Sequence, residues 1–519
     1  MISSLTGLAL LTAKLGGIAI TTELLCLAIK HKSKQQKKAT GELKTYKELS
    51  QICGTDGLRL SKNIKLREKY DFEGICIIAP TGSGKTSSYF YPNLLDANLK
   101  GSVIVVDPKG ELYRDTSHFQ RDVCGRRVLR FSPLEPQQSE YYNLLEQCVD
   151  ATEVCQLAST LLLNGALSVE LQSGKQTGGV EWIQMAEPLL SSALLFVKEL
   201  PSPFNTIEYA FKTIINSNNE ELDAILGQCE NEDVVTQYNI FKTVATSQNT
   251  SGSIKVTLAS NLKLFTDKNI NYISSKTTFT AKELRETATV LYITYPEQKC
   301  NYLAPFIAPF FSQLITKMVE SYTHKSEPIH FLMDEFGNIG MINNMSVNCA
   351  TVRSRKISFS ICLQSITQLY QVYGRDNAKA ILNNLKTKIV LCGLSDVDTL
   401  AYIETLTGKT EINSISTSNN NKTESMVVRN VLNEDEIRRL DDDKVLIIMS
   451  NKQPVIDTQC IYYKNNDYID KIKKVNEAPK TILKHKNCSS DFAELLKTKC
   501  SIREIDRTNN SKLITDLFK

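Results

Sequence analysis

"IIAPTGSGKTSSYF", residues 77–90, joins an apolar run to a helix-forming one through a glycine-rich turn. The phosphate-binding pattern is G-x-x-x-x-G-K-[ST]. Ala79 stands where the first glycine belongs. Gly84, Lys85 and Thr86 fill the end of the pattern, with Pro80, Thr81, Gly82 and Ser83 between. Gly82 and Gly84 allow successive backbone N–H groups to turn inward on phosphate oxygens. A helix starting near Lys85 adds the positive end of its dipole. Lys85 is expected to reach the β- and γ-phosphates, and the Thr86 hydroxyl to ligate Mg²⁺. Ala79 falls at the end of a strand, where a methyl group is a mild steric change. The stretch therefore points to ATP and Mg²⁺ as ligands.

Short apolar runs on either side of this loop set the fold class. "GICII" leads into the loop, "SVIVVD" ends at Asp107, and "TVLYITY", "IHFLMDE", "ISFSICLQ", "TKIVLCG" and "KVLIIM" follow between residues 289 and 449. Short β-branched runs alternating with helical stretches predict a mostly parallel sheet covered on both faces. Between about residues 146 and 285 the strands disappear. "TEVCQLASTLLL", "EWIQMAEPLLSSALLFVKEL" and "SGSIKVTLASNLKLF" have helical spacing, and "LQSGKQTGGV" (171–180) is a break within them. The expectation is an all-helical domain inserted into an α/β core. "STSNNNKTES" (416–425) reads as a polar loop.

A chain of 519 residues has room for two or three domains, and its 42% hydrophobic and 23% charged residues are ordinary for a folded protein. Fourteen cysteines without a C-x-x-C pair, and only five histidines, argue against zinc and against a disulfide framework. The net charge of +4 does not by itself indicate a nucleic-acid partner. It divides unevenly: residues 146–285 hold 16 acids and 10 bases, a net of −6, which leaves +10 elsewhere and suggests a basic core. Residues 5–29 are long enough to span a bilayer and carry only two charges, Lys14 and Glu23, each of which costs ~3 kcal/mol near the centre of a membrane span. "KHKSKQQKK" (30–38) follows, a flank of the kind that stays cytoplasmic. Its position after the apolar stretch is wrong for a secretory signal. The preferred reading is a single anchor in the cytoplasmic membrane with the remaining chain in the cytoplasm; the alternative is an interfacial or soluble amphipathic helix. The segments are then 1–38, anchor and basic flank; 39–145, first part of the nucleotide-binding domain; 146–285, helical insertion; 286–475, second part of the nucleotide-binding domain; and 476–519, a C-terminal tail.

A nucleotide hydrolase also needs a carboxylate for Mg²⁺ and a group that activates water. Asp107 and Asp334 both end strands, but only Asp334 has a second carboxylate, Glu335, beside it. Asp334 is assigned to the metal and Glu335 to the attacking water; Asp107 suits a turn cap. Gln364 ends the following strand and is placed to orient water or sense the γ-phosphate, because strand C-termini in a parallel sheet face the ligand crevice. Arg353 and Arg355 precede that strand. Either could cross a subunit boundary and neutralise transition-state charge, or lie on the surface.

"APTGSGKT", "VVDPKGELYRDTS", "LMDEFGNIG", "LQSITQLYQVYG" and "LCGLSDVDTLAYIETLTGKT" resemble the type IV coupling proteins, the TraG/TraD family of conjugation ATPases. The similarity runs from about residue 74 to 449, with "DPKGEL" and "DEFGNIG" its most specific parts. It implies a RecA-like P-loop ATPase core with a mostly parallel sheet, an inserted all-α domain and an N-terminal apolar helix. It also implies a membrane-anchored homo-hexamer that hands relaxase-bound single-stranded DNA, or protein substrates, to a type IV secretion channel. Lys85, Thr86, Asp334, Glu335 and Gln364 carry over by position, and Arg353 fits a trans-acting arginine better than Arg355. The family usually has two membrane helices, whereas this N-terminus has room for one. Two other readings stand beside the motor: a docking receptor that uses ATP without pumping DNA, and a cytosolic translocase for double-stranded DNA.

Overall fold

The computed structural model describes residues 39–174, 180–418, 421–472 and 489–499. The anchor expected at residues 5–29 and its basic flank lie outside the described residues. The centre of the molecule is a nine-stranded sheet built from β1 (Ile75–Ile78), β2 (Ser102–Asp107), β3 (Arg127–Phe131), β4 (Thr289–Thr294), β5 (Ile329–Met333), β6 (Ile357–Leu363), β7 (Thr387–Val390), β10 (Lys444–Met449) and β11 (Val455–Thr458). Their order is β11-β10-β7-β1-β6-β5-β2-β4-β3. From β7 to β3 all neighbours are parallel; β10 runs antiparallel to β7, and β11 antiparallel to β10.

The central strands are rich in apolar residues because both faces are covered, and the polar residues they hold, such as Ser358, Ser360 and Lys388, are buried with them. Every residue of β1, β2, β4, β5, β6 and β7 is buried. Alternate side chains go to opposite cores. Ile78, Ile104 and Ile361 join one, which continues into the helical segment. Ile77, Val105 and Cys362 join the other, together with Leu58, Leu66 and Phe90.

β4 enters the sheet only after a run of helices from Ala151 to Glu286, in which the described residues contain no strand. Two of these, Ala151–Ser173 and Val180–Lys198, are long and apolar enough to cross a bilayer, but more than half of each apolar window is buried inside the fold. They are core helices of this segment. The helix Ser489–Lys499, within the stretch read as a tail, seats Phe492 between Phe204 and Tyr209 of the same helical segment.

Two edge strands were not legible as apolar runs. β3 is "RVLRF", in which two arginines interrupt the pattern, and β11 alternates buried and half-buried residues at the opposite edge. The stretch 416–425 is a second correction. It belongs to an antiparallel hairpin, β8 (Lys409–Ser418) with β9 (Asn421–Asn430), in register from Lys409↔Asn430 to Ser418↔Asn421. β-branched residues at 412, 415, 417, 427 and 428 favour extended backbone over the polar composition of the tip.

Candidate active site

β1, β6 and β5 are adjacent and parallel, so their C-terminal ends open on one crevice. β1 delivers residues 79–86, β6 delivers Gln364, and β5 delivers Asp334 and Glu335. Residues separated by 250 positions thereby meet. Ala79 is buried and its N–H donates to Leu363 O at 2.8 Å, which continues the ladder by one residue. It is not among the left-handed residues, so a methyl is tolerated there. Gly82 and Gly84 are left-handed, with φ of 85° and 89°. The helix then opens with a wide i→i+5 turn over Thr86–Phe90, and the Ser87 and Ser88 hydroxyls donate back to Gly84 O. Such turns recur at functional sites.

The Lys85 ammonium bridges both carboxylates. It lies 3.2 Å from Asp334 Oδ1 and donates to Glu335 Oε1. Thr86 Oγ1 donates to Asp334 Oδ2 at 3.1 Å. Gln364 Nε2 donates to Glu335 Oε2 at 2.9 Å, and Asn338 Nδ2 donates to the same oxygen at 3.2 Å. Burial raises the pKa of Asp334; Lys85 opposes the rise and Glu335 adds to it. Burial acts to lower the pKa of Lys85, but the surrounding negative groups, Asp334 first among them, raise it overall. Glu335 itself has left-handed backbone, φ 58° and ψ 42°. For a residue with a Cβ this costs roughly 1–2 kcal/mol, strain of a kind that persists only where neighbours fix the residue.

The donor set suits a magnesium nucleotide. Thr86 Oγ1 and Asp334 supply the hard oxygens that Mg²⁺ takes alongside phosphate and water. Asp334 Oδ1 is buried and has no hydrogen-bond partner despite its ion pair with Lys85. Such an atom gains from a cation beside it.

Asp107, at the end of β2, performs the capping its position suggested. Its Oδ2 accepts from Tyr113 N–H at 2.8 Å. Burial pushes its pKa up to about 7, against the pull of the Tyr113 and Leu112 N–H groups. A carboxyl raised in this way stabilises the fold at low pH, and that contribution is lost as pH rises from its unfolded value to about 7. Without nucleotide or Mg²⁺, Asp107→Asn should therefore be more stable than wild type at pH 8, by at most on the order of 4–5 kcal/mol. The two should converge near pH 4. Melting temperatures across this range test the sign; a difference independent of pH would contradict it.

Arg353 is not brought to this cluster. It precedes β6, at the opposite end from Gln364, so the length of a seven-residue strand, roughly 23 Å, separates it from its own chain's loop. It is 61% exposed and pairs with Glu73 at 2.9 Å. Arg355 lies at the same end. Two further residues join the site without a sequence signal of their own: Asn338, inside "DEFGNIG", and Gln459, whose Oε1 lies 3.2 Å from where a Cβ on Gly84 would stand.

Residues 29–485 match the family model described as type IV secretory system conjugative DNA transfer. Protein VirD4 of Rhizobium radiobacter is 26% identical over 402 residues, covering 75% of this chain and 56% of VirD4. Conjugal transfer protein TraG of Escherichia coli is 22% identical over 377 residues, covering 66% of this chain and 56% of TraG. The chain thus spans a little over half the length of these relatives. In three dimensions it resembles the bacterial conjugative coupling protein TrwBdeltaN70, with a TM-score of 0.64 at 15% identity over 81% of this chain and 92% of that one. TrwB has also been solved with ADP and Mg²⁺, with a TM-score of 0.63 at 15% identity over 81% of this chain and 93% of that one.

Proposed function

We propose that this chain, which belongs to the type IV secretory system conjugative DNA transfer family, is an ATP-hydrolysing coupling protein that recruits relaxase-bound single-stranded DNA, or protein substrates, to a secretion channel. The observation that carries the reading is the cluster of Lys85, Thr86, Asp334, Glu335 and Gln364 at the ends of three adjacent strands. A bound magnesium nucleotide would supply the phosphoryl group to be cleaved and the charge that draws Lys85 from the carboxylates. Lys85 would then hold phosphate oxygens, and Thr86 with Asp334 would hold the metal. Glu335, relieved of its ion pair, would accept a proton from water held by Gln364. The relative TrwB, solved with an ATP analogue and with ADP and Mg²⁺, supports nucleotide and metal binding here.

Residues 1–38 are proposed to anchor the protein in the cytoplasmic membrane, with the ATPase in the cytoplasm assembled as a homo-hexamer. Release of the full-length protein by carbonate extraction would exclude a span.

The positive charge outside the helical segment does not lie mainly in the nucleotide-binding domain. Lys14, Lys30, Lys32, Lys34, Lys37 and Lys38 against Glu23 give residues 1–38 a net +5, and residues 476–519 hold 9 bases and 6 acids, a net +3. Only +2 of the +10 then remains for residues 39–145 and 286–475. A DNA path through the core must rest on local basic groups rather than on a basic domain. The helical segment, at −6, suits a basic signal on a cargo protein.

Turnover of the detergent-solubilised protein with and without DNA tests the reading. Stimulation by single-stranded DNA, weakening steeply with salt, is the expected result. Turnover indifferent to DNA but raised by cargo protein would favour the docking receptor, and preference for duplex DNA would favour a double-strand translocase.

A further inference from the structure

The loop that leaves Glu335 is fastened to the helical segment at one place. Between the two lie the tight turn Phe336–Asn338 and then Gly340 and Met341. Asn164, fully buried on the helix Ala151–Ser173, grips the Met341 peptide from both sides. Its Oδ1 accepts from Met341 N–H at 2.8 Å, and its Nδ2 donates to Met341 O at 3.1 Å and to Thr160 O at 3.0 Å. Both polar atoms of the side chain are therefore used, and an apolar residue would leave the half-buried Met341 N–H and C=O without these partners.

Asn343 adds one bond to the same helix and one to the helix Cys300–Glu320. Asn343 Nδ2 donates to Thr160 Oγ1, and Asn343 N–H donates to Ser312 Oγ at 2.9 Å. The fit leaves no slack. Gly340 has φ 97°, and a Cβ there would stand 2.8 Å from Asn164 Oδ1 and 3.1–3.2 Å from the methyls of Ala304 and Ala308. At the near end of the loop is the left-handed Glu335, whose carboxylate is held by Asn338 of this loop as well as by Gln364. The path from the helical segment to the carboxylate is thus short, partly buried and bonded at both ends.

We propose that Asn164 is a positioning residue for Glu335, through which the helical segment sets the rate of hydrolysis without altering nucleotide affinity. The inference rests on the reading that Glu335 directs hydrolysis. A cargo that shifts the helix Ala151–Ser173 would shift Met341 with it and change the aim of the carboxylate. Since a misplacement of about 1 Å can cost as much as 10²-fold in rate, a small movement suffices.

The test uses the full chain in detergent, with Asn164→Ala, Gly340→Ala and Glu335→Gln beside wild type. Asn164→Ala removes the grip. Gly340→Ala displaces it while leaving Asn164 chemically intact. Each is expected to lower kcat about tenfold or more while the affinity for a fluorescent ATP analogue stays within about twofold. A merely structural contact would instead lower melting temperature and affinity together and leave the rate per bound nucleotide unchanged. That pattern, wild-type kcat in either folded variant, or failure of both variants to fold would overturn the proposal. If Glu335→Gln also turns over at the wild-type rate, the catalytic reading itself is at fault. If Glu335→Gln is inactive while the other two are normal, only this inference fails.

Discussion

Glu335→Gln should bind ATP at least as well as wild type and turn it over 10²- to 10³-fold more slowly, an order-of-magnitude loss for removing a positioned general base. The reason lies in how the Lys85 ammonium is shared. It is held by Asp334 and Glu335 together, in a buried setting where each ion pair must be replaced when Lys85 moves to phosphate. An amide at 335 removes one of those competing charges. Thr86 and Asp334, bonded at 3.1 Å, keep the groups assigned to Mg²⁺. What is lost is the acceptor for the proton of the attacking water. The amide also disturbs the local bonding, because its nitrogen must face either Lys85 or the donors Gln364 and Asn338. Equilibrium binding of a fluorescent nucleotide and single-turnover hydrolysis separate the two effects. Turnover at the wild-type rate would remove Glu335 from its role, and loss of binding would assign it to the ligand rather than to the reaction.

The parts of the site legible in the sequence are those whose chemistry and geometry are both local. The loop from Ala79 to Thr86 announces itself because phosphate binding demands glycines, a lysine and a hydroxyl within one turn. Asp334 and Glu335 are legible because a parallel sheet puts strand ends at its ligand crevice, so two carboxylates closing "IHFLM" have one natural place to go. Asn164 lies 177 residues before the peptide it holds, and no pattern around it distinguishes it from a core asparagine. Gln459 meets the loop at Gly84 only because β11 folds back along β10. β3 escaped notice because Arg130 is buried on it and satisfied by Thr294, Gln138 and Glu135, a solution that only the tertiary structure supplies. The hairpin of β8 and β9 was missed for the opposite reason: serine, threonine and asparagine dominate its tip, so composition argued for a loop while the β-branched residues carried the extended pairing.

Lys85→Ala should lose both nucleotide binding and turnover, and mixing it with Arg353→Ala should restore part of the activity that neither variant shows alone. The first loss follows from the phosphate contact and from what is left behind. Without the ammonium, Asp334 and Glu335 face each other nearly buried, with side chains 8% and 9% exposed. Removing one partner of such a buried set costs about 3 kcal/mol or more, so the loop and the carboxylates lose their common anchor. The second expectation follows from where Arg353 stands. It is exposed at the far end of β6 from the loop, paired with Glu73 just before β1, and a strand's length separates it from the phosphate loop of its own chain. If it acts in hydrolysis it acts on a neighbour, as a head-to-tail ring would arrange. In an equal mixture, about a quarter of the interfaces would then join an intact loop on one subunit to an intact Arg353 on the next. Cross-linking establishes that mixed rings form, and turnover is measured on the same sample. Mixed rings without recovered turnover would make Arg353 a surface residue paired with Glu73, and the arginine that completes the site would have to be sought elsewhere in the neighbouring subunit.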